Sequence, residues 1–428
     1  MFGELAVSAY ERAFSKCKLK MKHLKKHSIN AQTHRYIAIA DVLRVSAIAL
    51  IAWYHFWQLS WLDPSFYAFG RYIDLFSLVS AGYMMVDVII VLSGFLIAIP
   101  YAQAHCNDMN VPRPIAFYRK RIRRIIPSYL LALTITIIFY ALPQGLYTSI
   151  KDGVLDLLAH LTFTHNLFPK TYFSSPLPGV LWTLAVEVQF YVLFPYIGKI
   201  YGKHPILVCV GLTIAALGFR AWVYDMQDTT FWVNQLPCML DLYACGMMAA
   251  FVYTRASSKK MRDGWLWCMS ALAVVSFAGI FQIIWIQDTT DYELLRHEQL
   301  LWRLPIGILT GMTLFFGALS HSSLQSIMGN RITKFLAEVS YNYYIWHQFL
   351  AGRLKAWRIP RYISEKPHLM GEQPWQIRYT ILCFLVAGFV ASIVTYTIEK
   401  PFSDLSLIRQ KSTHWREKML KRKKGAGL

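Results

Sequence analysis

Ten stretches of predominantly apolar residues, each about 20 residues long and so sufficient to cross a bilayer, constrain the fold of this chain more than any other feature. They fall near 37–62, 77–99, 125–143, 180–200, 204–224, 236–254, 265–287, 301–319, 332–352 and 376–398. In lipid a backbone must satisfy its own polar groups, so runs of this length predict helices. Composition agrees: of 428 residues, 55% are hydrophobic and only 16% charged. The expectation is an all-α integral membrane protein with about ten transmembrane helices.

Lys and Arg should alternate between loops if the count is right, because cytoplasmic loops carry the excess. They do over most of the chain. Arg113, Arg119, Lys120, Arg121, Arg123 and Arg124 occupy one loop; Lys199 and Lys203, then Arg255, Lys259, Lys260 and Arg262, then Arg331 follow in alternate ones. The intervening loops are poor in both, with Lys151 and Lys170 alone in 144–179 and none in 225–235. Both termini are therefore expected in the cytoplasm, as basic tails over 1–36 and 403–428 around one membrane domain at 37–402. The loop 353–375 departs from the alternation with Arg353, Lys355, Arg358, Arg361 and Lys366. It reads as an exception to the rule, or else as a basic surface for an anionic acceptor.

The formal charge of +20 sits in tails and short loops between apolar spans, where topology accounts for it, so nucleic acid is not an expected partner. Seven cysteines, with no C-x-x-C pair or zinc spacing, read as small core residues, and no metal site is expected. The first span follows a polar basic stretch without a small-residue cleavage site and should remain as an anchor.

Ionisable groups inside these spans are expensive unless they face a partner or a cavity, and so mark candidate sites. Arg44 and His55 lie eleven residues apart on the first span, three turns plus about 20°, which puts both on one face about 16 Å apart along the axis. Asp87 falls near mid-depth on the second span, where it is expected to pair with His55 or to cap a helix. Arg121 and Arg124, at i and i+3, suit bidentate phosphate recognition; a surface anchor is the plainer reading of the same pair. Glu187 stands about two turns below the outer end of the fourth span. His347 follows Tyr343 and Tyr344 by four and three residues on the ninth. Glu399, at the cytoplasmic end of the tenth, is expected to pair with Arg44 or with Arg121 and Arg124. Depth thus sorts Arg44, Arg121, Arg124 and Glu399 into a cytoplasmic group, and His55, Asp87, Glu187 and His347 into a group at mid-depth or above. Aromatic residues crowd 53–76 and 163–182, as an interfacial belt would or, less simply, as a platform for sugar rings.

Six segments then occur in an order that resembles the acyltransferase-3 family of integral-membrane O-acyltransferases. They are D-x-L-R with an eleven-residue step to His (Asp41, Leu43, Arg44, His55), V-D-x-x-x-V-L-S-G-F-L-I (Val86 to Ile97), R-x-x-R-I-x-P-x-Y (Arg121 to Tyr129), W-T-L-x-x-E-x-x-F-Y (Trp182 to Tyr191), S-Y-x-x-Y-x-x-H (Ser340 to His347) and E-K-P-F (Glu399 to Phe402). Met84 and Met85 stand where the family usually has Gly, and Ile89 and Ile90 replace its aromatic pair. The resemblance implies ten transmembrane helices in a bacterial inner membrane and an acyl-CoA donor, commonly acetyl-CoA, used as substrate with no bound cofactor. The acceptor would be a hydroxyl of an envelope saccharide or lipid-linked glycan at the outer face. It also implies that His55 is the essential histidine, that Arg44, Arg121 and Arg124 handle the donor, and that Glu187 and His347 are recurring polar positions. The hydrolase-like domain that some members carry after the last span is not expected here.

On that reading His55 acts as general base on the acceptor hydroxyl, or takes the acyl group first, with Asp87 or Glu187 orienting it. Two alternatives share the same residues. A proton-coupled transporter also places His, Asp and Glu at mid-membrane, but should show two related halves, and none is visible. Another class of membrane acyltransferase would use His347 with an upstream Asn.

Overall fold

In the computed structural model, which describes residues 36–403 except 108, 290–293 and 372, every expected span is a helix. The tails expected at 1–36 and 403–428 lie outside the described residues apart from Tyr36 and Ser403. The long helices are α1 Ala38–Ser60, α2 Met85–Cys106, α3 Pro114–Thr136, α4 Leu181–Tyr201, α5 Pro205–Tyr224, α6 Leu240–Ser257, α7 Asp263–Asp288, α8 Leu295–Ala318, α9 Arg331–Ala356 and α10 Gln373–Val394. Among the described residues, nine segments are long and apolar enough to cross a membrane. The helix that falls short is α9, whose 26 residues include the polar run SYNYYIWHQ that the site uses.

Burial separates central from peripheral helices. The apolar window of the segment Gly82–Cys106, which includes α2, is 78% buried within the protein, and that of α5 only 22%. A helix that is apolar all round belongs either in the middle of a bundle or against lipid, and these two are the extremes. The centre is the contact of α2 with α6, which also packs on α5 and α8. Their backbones approach so closely that a Cβ on Gly246 would stand 2.0 Å from the Val91 carbonyl oxygen, and one on Gly94 2.6 Å from that of Tyr243. Small residues at helix crossings allow such approach in membranes, which gives the L-S-G-F segment a structural reason for its glycine. A second core joins α1, α9 and α10 through Phe56, Ala351, Leu354, Tyr379 and Cys383.

Several shorter elements went unread in the sequence. A two-stranded hairpin, Phe66–Ala68 with Arg71–Ile73, turns through Phe69 and Gly70, both at positive φ, as a two-residue primed turn requires. The long loop after α3 contains a 12-residue helix, Ile150–Leu161, capped by Ser149, whose hydroxyl accepts from the Asp152 N–H. Helices α3 and α10 each run on into a π turn, Ile137–Ala141 and Thr395–Glu399. The basic loop has local partners: Arg353 lies 3.8 Å from the Tyr140 ring centre, Lys355 donates to the Leu59 carbonyl at 2.6 Å, and Arg358 stacks on Tyr362.

Candidate active site

The first cavity lies at the Arg44 end of α1 and, counting the space at its opening to solvent, spans about 890 Å³. Three arginines line it, Arg44 from α1 and Arg121 and Arg124 from α3, so the i, i+3 spacing does bring the latter two to one face. Arg44 pairs with Asp41 one turn earlier, Nη1 to Oδ1 at 3.2 Å. Arg121 stacks over Tyr191, its guanidinium carbon 4.9 Å from the ring centre, an arrangement that holds the fork in place while leaving its donors available. Much of the remaining wall is aliphatic, including Ile48, Ile89, Ile90 and Ile125. Cations at one end of an apolar passage suit a ligand with anionic groups on a long, weakly polar arm.

Glu187 belongs to this first cavity, contrary to the depth grouping that put it with His55. Its Oε1 accepts from the hydroxyl of Ser93 at 2.7 Å and from that of Tyr191. Counting turns down α4 gives a depth along that helix alone, whereas the cavity extends along α4 as far as Thr183, two residues past its start. Glu399 also departs from expectation. Its Oε2 accepts from Asn342 Nδ2 at 2.8 Å, and Thr395 Oγ1 takes the same amide at 2.8 Å. Arg124 is within its electrostatic reach, but Arg44 already has Asp41, and Glu399 lines neither cavity.

The second cavity, about 820 Å³, contains His55 and Asp87. The expected contact between them is replaced by two others. Asp87 Oδ2 stands 3.5 Å from Arg303 Nε, an ion pair between groups that are 1% and 0% exposed. Arg303 also donates to the Val233 carbonyl and approaches Asn234 Oδ1 at 3.5 Å. A buried guanidinium needs a carboxylate more than a neutral imidazole does, so Arg303 takes Asp87. His55 Nδ1 instead lies 3.1 Å from Gln58 Oε1 and 3.2 Å from Gln348 Nε2. One amide group accepts and the other donates, so Nδ1 is served whether it carries a proton or a lone pair.

His347 stands beside His55, with ring centres 5.2 Å apart. Its Nδ1 lies 2.7 Å from the Tyr344 carbonyl oxygen, a contact that only an N–H can make, so Nε2 carries the lone pair. That Nε2 is buried and has no hydrogen-bond partner among the described residues. His55 lines the cavity, and His347, fully buried, does not.

The two cavities share two lining residues, Val86 of α2 and Tyr344 of α9. The Tyr344 hydroxyl is tied to Thr183 Oγ1 at 2.8 Å. Arg44 and His55 thus open into adjoining spaces from one helix. Arg296, Gln299 and Arg303, spaced i, i+3 and i+7 on α8, line the second cavity and were not singled out in the sequence. Arg303 carried the signal that marked Asp87, an ionisable residue in an apolar run, but two residues inside the expected start of its span it reads as an anchor. Of the aromatic crowd, Tyr172 and Trp182 line the His55 cavity. Trp61, Phe66 and Tyr67 are exposed, and Phe163 is stacked on Tyr129 in the interior.

Comparison with known proteins finds acetyltransferases among the relatives of this chain. The provisionally named peptidoglycan O-acetyltransferase YrhL of Bacillus subtilis is 25% identical over 343 residues, covering 74% of this chain and 49% of its own length. The O-acetyltransferase OatA of Staphylococcus aureus is 24% identical over 339 residues, covering 73% of this chain and 50% of its own. A provisionally named acetyltransferase of Acidianus two-tailed virus, ORF330, is 24% identical over 307 residues, 71% of this chain and 80% of its own. The chain spans about half the length of the two bacterial relatives. No solved structure gives a significant match. The family model described as an acyltransferase domain matches residues 37–397, and the chain belongs to that acyltransferase-3 family of membrane proteins.

Proposed function

We propose that this protein is a membrane O-acyltransferase that moves an acyl group, acetyl first among candidates, from acyl-CoA to a hydroxyl of a saccharide. The observation that carries this reading is the pair of adjoining cavities reached from one helix, arginine-lined at Arg44 and histidine-bearing at His55. The names of the bacterial relatives support acetyl as the group and an envelope glycan such as peptidoglycan as the acceptor class. Charge alternation along the loops supports a cytoplasmic entry for the donor and an outward-facing acceptor, in a bacterial cytoplasmic membrane with both termini inside.

Arg44, Arg121 and Arg124 hold the donor's phosphates through charge-assisted hydrogen bonds, and the pantetheine arm runs along the aliphatic wall towards Val86 and Tyr344. In the tautomer whose Nδ1–H donates to Gln58, His55 Nε2 is the base that takes the acceptor's hydroxyl proton. The acceptor oxygen bonds to the thioester carbonyl carbon, the carbon–sulfur bond breaks, and the CoA thiolate leaves with the proton returned from His55. Orientation of His55 falls to Gln58, Gln348 and the His347 ring, while Asp87 and Arg303 form a fixed wall of the acceptor cavity.

The test is transfer from labelled acetyl-CoA by the purified full-length protein, combined with mass spectrometry of envelope glycans from a deletion strain. Loss of an acetyl group from one glycan, restored by wild type and not by His55→Ala, is the expected result. Unchanged glycans together with full transfer by His55→Ala would sink the proposal.

A further inference from the structure

The charges lining the His55 cavity do not cancel. Arg303 and Asp87 form a buried pair and neutralise each other. Arg296 has no carboxylate partner among the described residues; its contacts are Gln299 Oε1 at 3.0 Å and the face of Tyr83, 5.5 Å from guanidinium carbon to ring centre. A neutral amide and an aromatic ring orient a guanidinium without discharging it. Arg296 is also the second residue of α8, where the positive end of the helix dipole opposes a cation. Half-buried and without a carboxylate beside it among the described residues, the group gains from an anion arriving in the cavity.

Trp182 and Tyr172 line the same space, giving flat apolar faces of the kind that sugar rings cover. We infer that the acceptor cavity takes a saccharide bearing an anionic group, a carboxylate or a phosphate, which docks on Arg296 while a hydroxyl is presented to His55. This rests on the acyltransferase reading for the hydroxyl, though not for the anion. Arg296 is then a specificity-determining residue, one turn from Gln299 and two from Arg303 on the same face of α8. A guanidinium fork can meet either anion bidentately, and the geometry favours neither.

Binding of three sugar probes to the purified full-length protein tests this, read by quenching of tryptophan fluorescence: methyl β-glucuronide, glucose 1-phosphate and the neutral methyl β-glucoside. At least one anionic probe should bind about tenfold or more tighter than the glucoside, and which one does so distinguishes carboxylate from phosphate. Arg296→Gln should bring all three to within about twofold of one another, and Arg296→Lys should restore part of the preference. Equal binding of all three by wild type overturns the inference without requiring any variant, as does a preference that survives in Arg296→Gln. Acetyl transfer to the same sugars is read separately. Anion preference without transfer upholds the site and counts against the acyltransferase reading; transfer without preference does the opposite.

Discussion

The ring of His347 stands 5.2 Å from that of His55, its Nδ1–H fixed on the Tyr344 carbonyl and its Nε2 buried without a partner among the described residues. Only His55 reaches the cavity. His55→Ala should therefore lower acetyl transfer by about 10²- to 10⁴-fold, the usual contribution of a general base. His347→Asn should cost less and should also move the pH profile of kcat, because an imidazole beside His55 has been removed. Equal losses with an unmoved profile would instead assign the chemistry to His347.

The arginine cavity makes a different prediction. Arg121→Ala and Arg124→Ala should each raise KM for acetyl-CoA by about ten- to hundredfold, the worth of a lost charge-assisted hydrogen bond, with a smaller change in kcat. Steady-state kinetics over a range of donor concentrations separates the two parameters. A KM that stays put would make these residues surface anchors.

Asp87 and Arg303 form an ion pair with almost no exposure. Removing one partner strands the other, so Asp87→Asn should destabilise the protein by about 3–5 kcal/mol. Asp87→Asn with Arg303→Gln should cost less than the two single changes added together. Thermal unfolding in detergent checks both statements, and additivity would mean that the pair does not act as one.

At the centre of the bundle, Gly246→Ala places a methyl carbon 2.0 Å from the Val91 carbonyl oxygen. The backbones of α2 and α6 must separate, a cost of about 1–3 kcal/mol or more. Gly211, where a Cβ meets nothing within 4 Å, is the control. Melting curves of Gly246→Ala and Gly211→Ala should differ sharply, with only the first lowered.

His165 lies in the 144–179 segment, outside the spanning helices, and is 3% exposed. Burial first, and then the charge of His160 stacked 4.0 Å away, push it down from 6.5 to about 3, against opposing effects of Asp156 and the Leu181 backbone. The folded protein thus keeps this ring neutral. Above pH 6.5 its contribution to stability is complete. As pH falls from 6.5 towards 3 the unfolded chain binds a proton that the folded chain refuses, and stability declines by up to about 1.4 kcal/mol per pH unit. Unfolding of His165→Phe should lose this acid-side slope, and an unchanged slope would place the titration elsewhere.

Much of the fold was legible because the solvent imposes it. Runs of apolar residues in lipid have no alternative to helix, so all ten long helices were anticipated, α9 with its polar run among them, although the ends shifted, most of all for α3, which starts at Pro114 and not near 125. Helical period was equally reliable over short distances. It put Arg121 and Arg124 on one face, and it set Arg44 and His55 on one side of α1, where the structure finds them opening into adjoining cavities. The hairpin at 66–73 and the Ile150–Leu161 helix escaped because local turn and capping chemistry, without apolar length, specifies them.

Pairing between helices was not legible. Asp87 was expected to meet His55 or to cap a helix and meets Arg303; Glu187 was grouped with His55 and lies with the arginines; Glu399 was offered to Arg44 or to Arg121 and Arg124 and holds Asn342, with Arg124 only within electrostatic reach. Each expectation used depth along one helix, which periodicity supplies, while partner choice depends on how helices cross and on which buried charge most needs a counterion. Sequence alone therefore determined that this chain spans a membrane as helices and that Arg44 and His55 share a face. Tertiary structure decided which carboxylate neutralises which cation, and so left Arg296 with a charge that no described carboxylate meets.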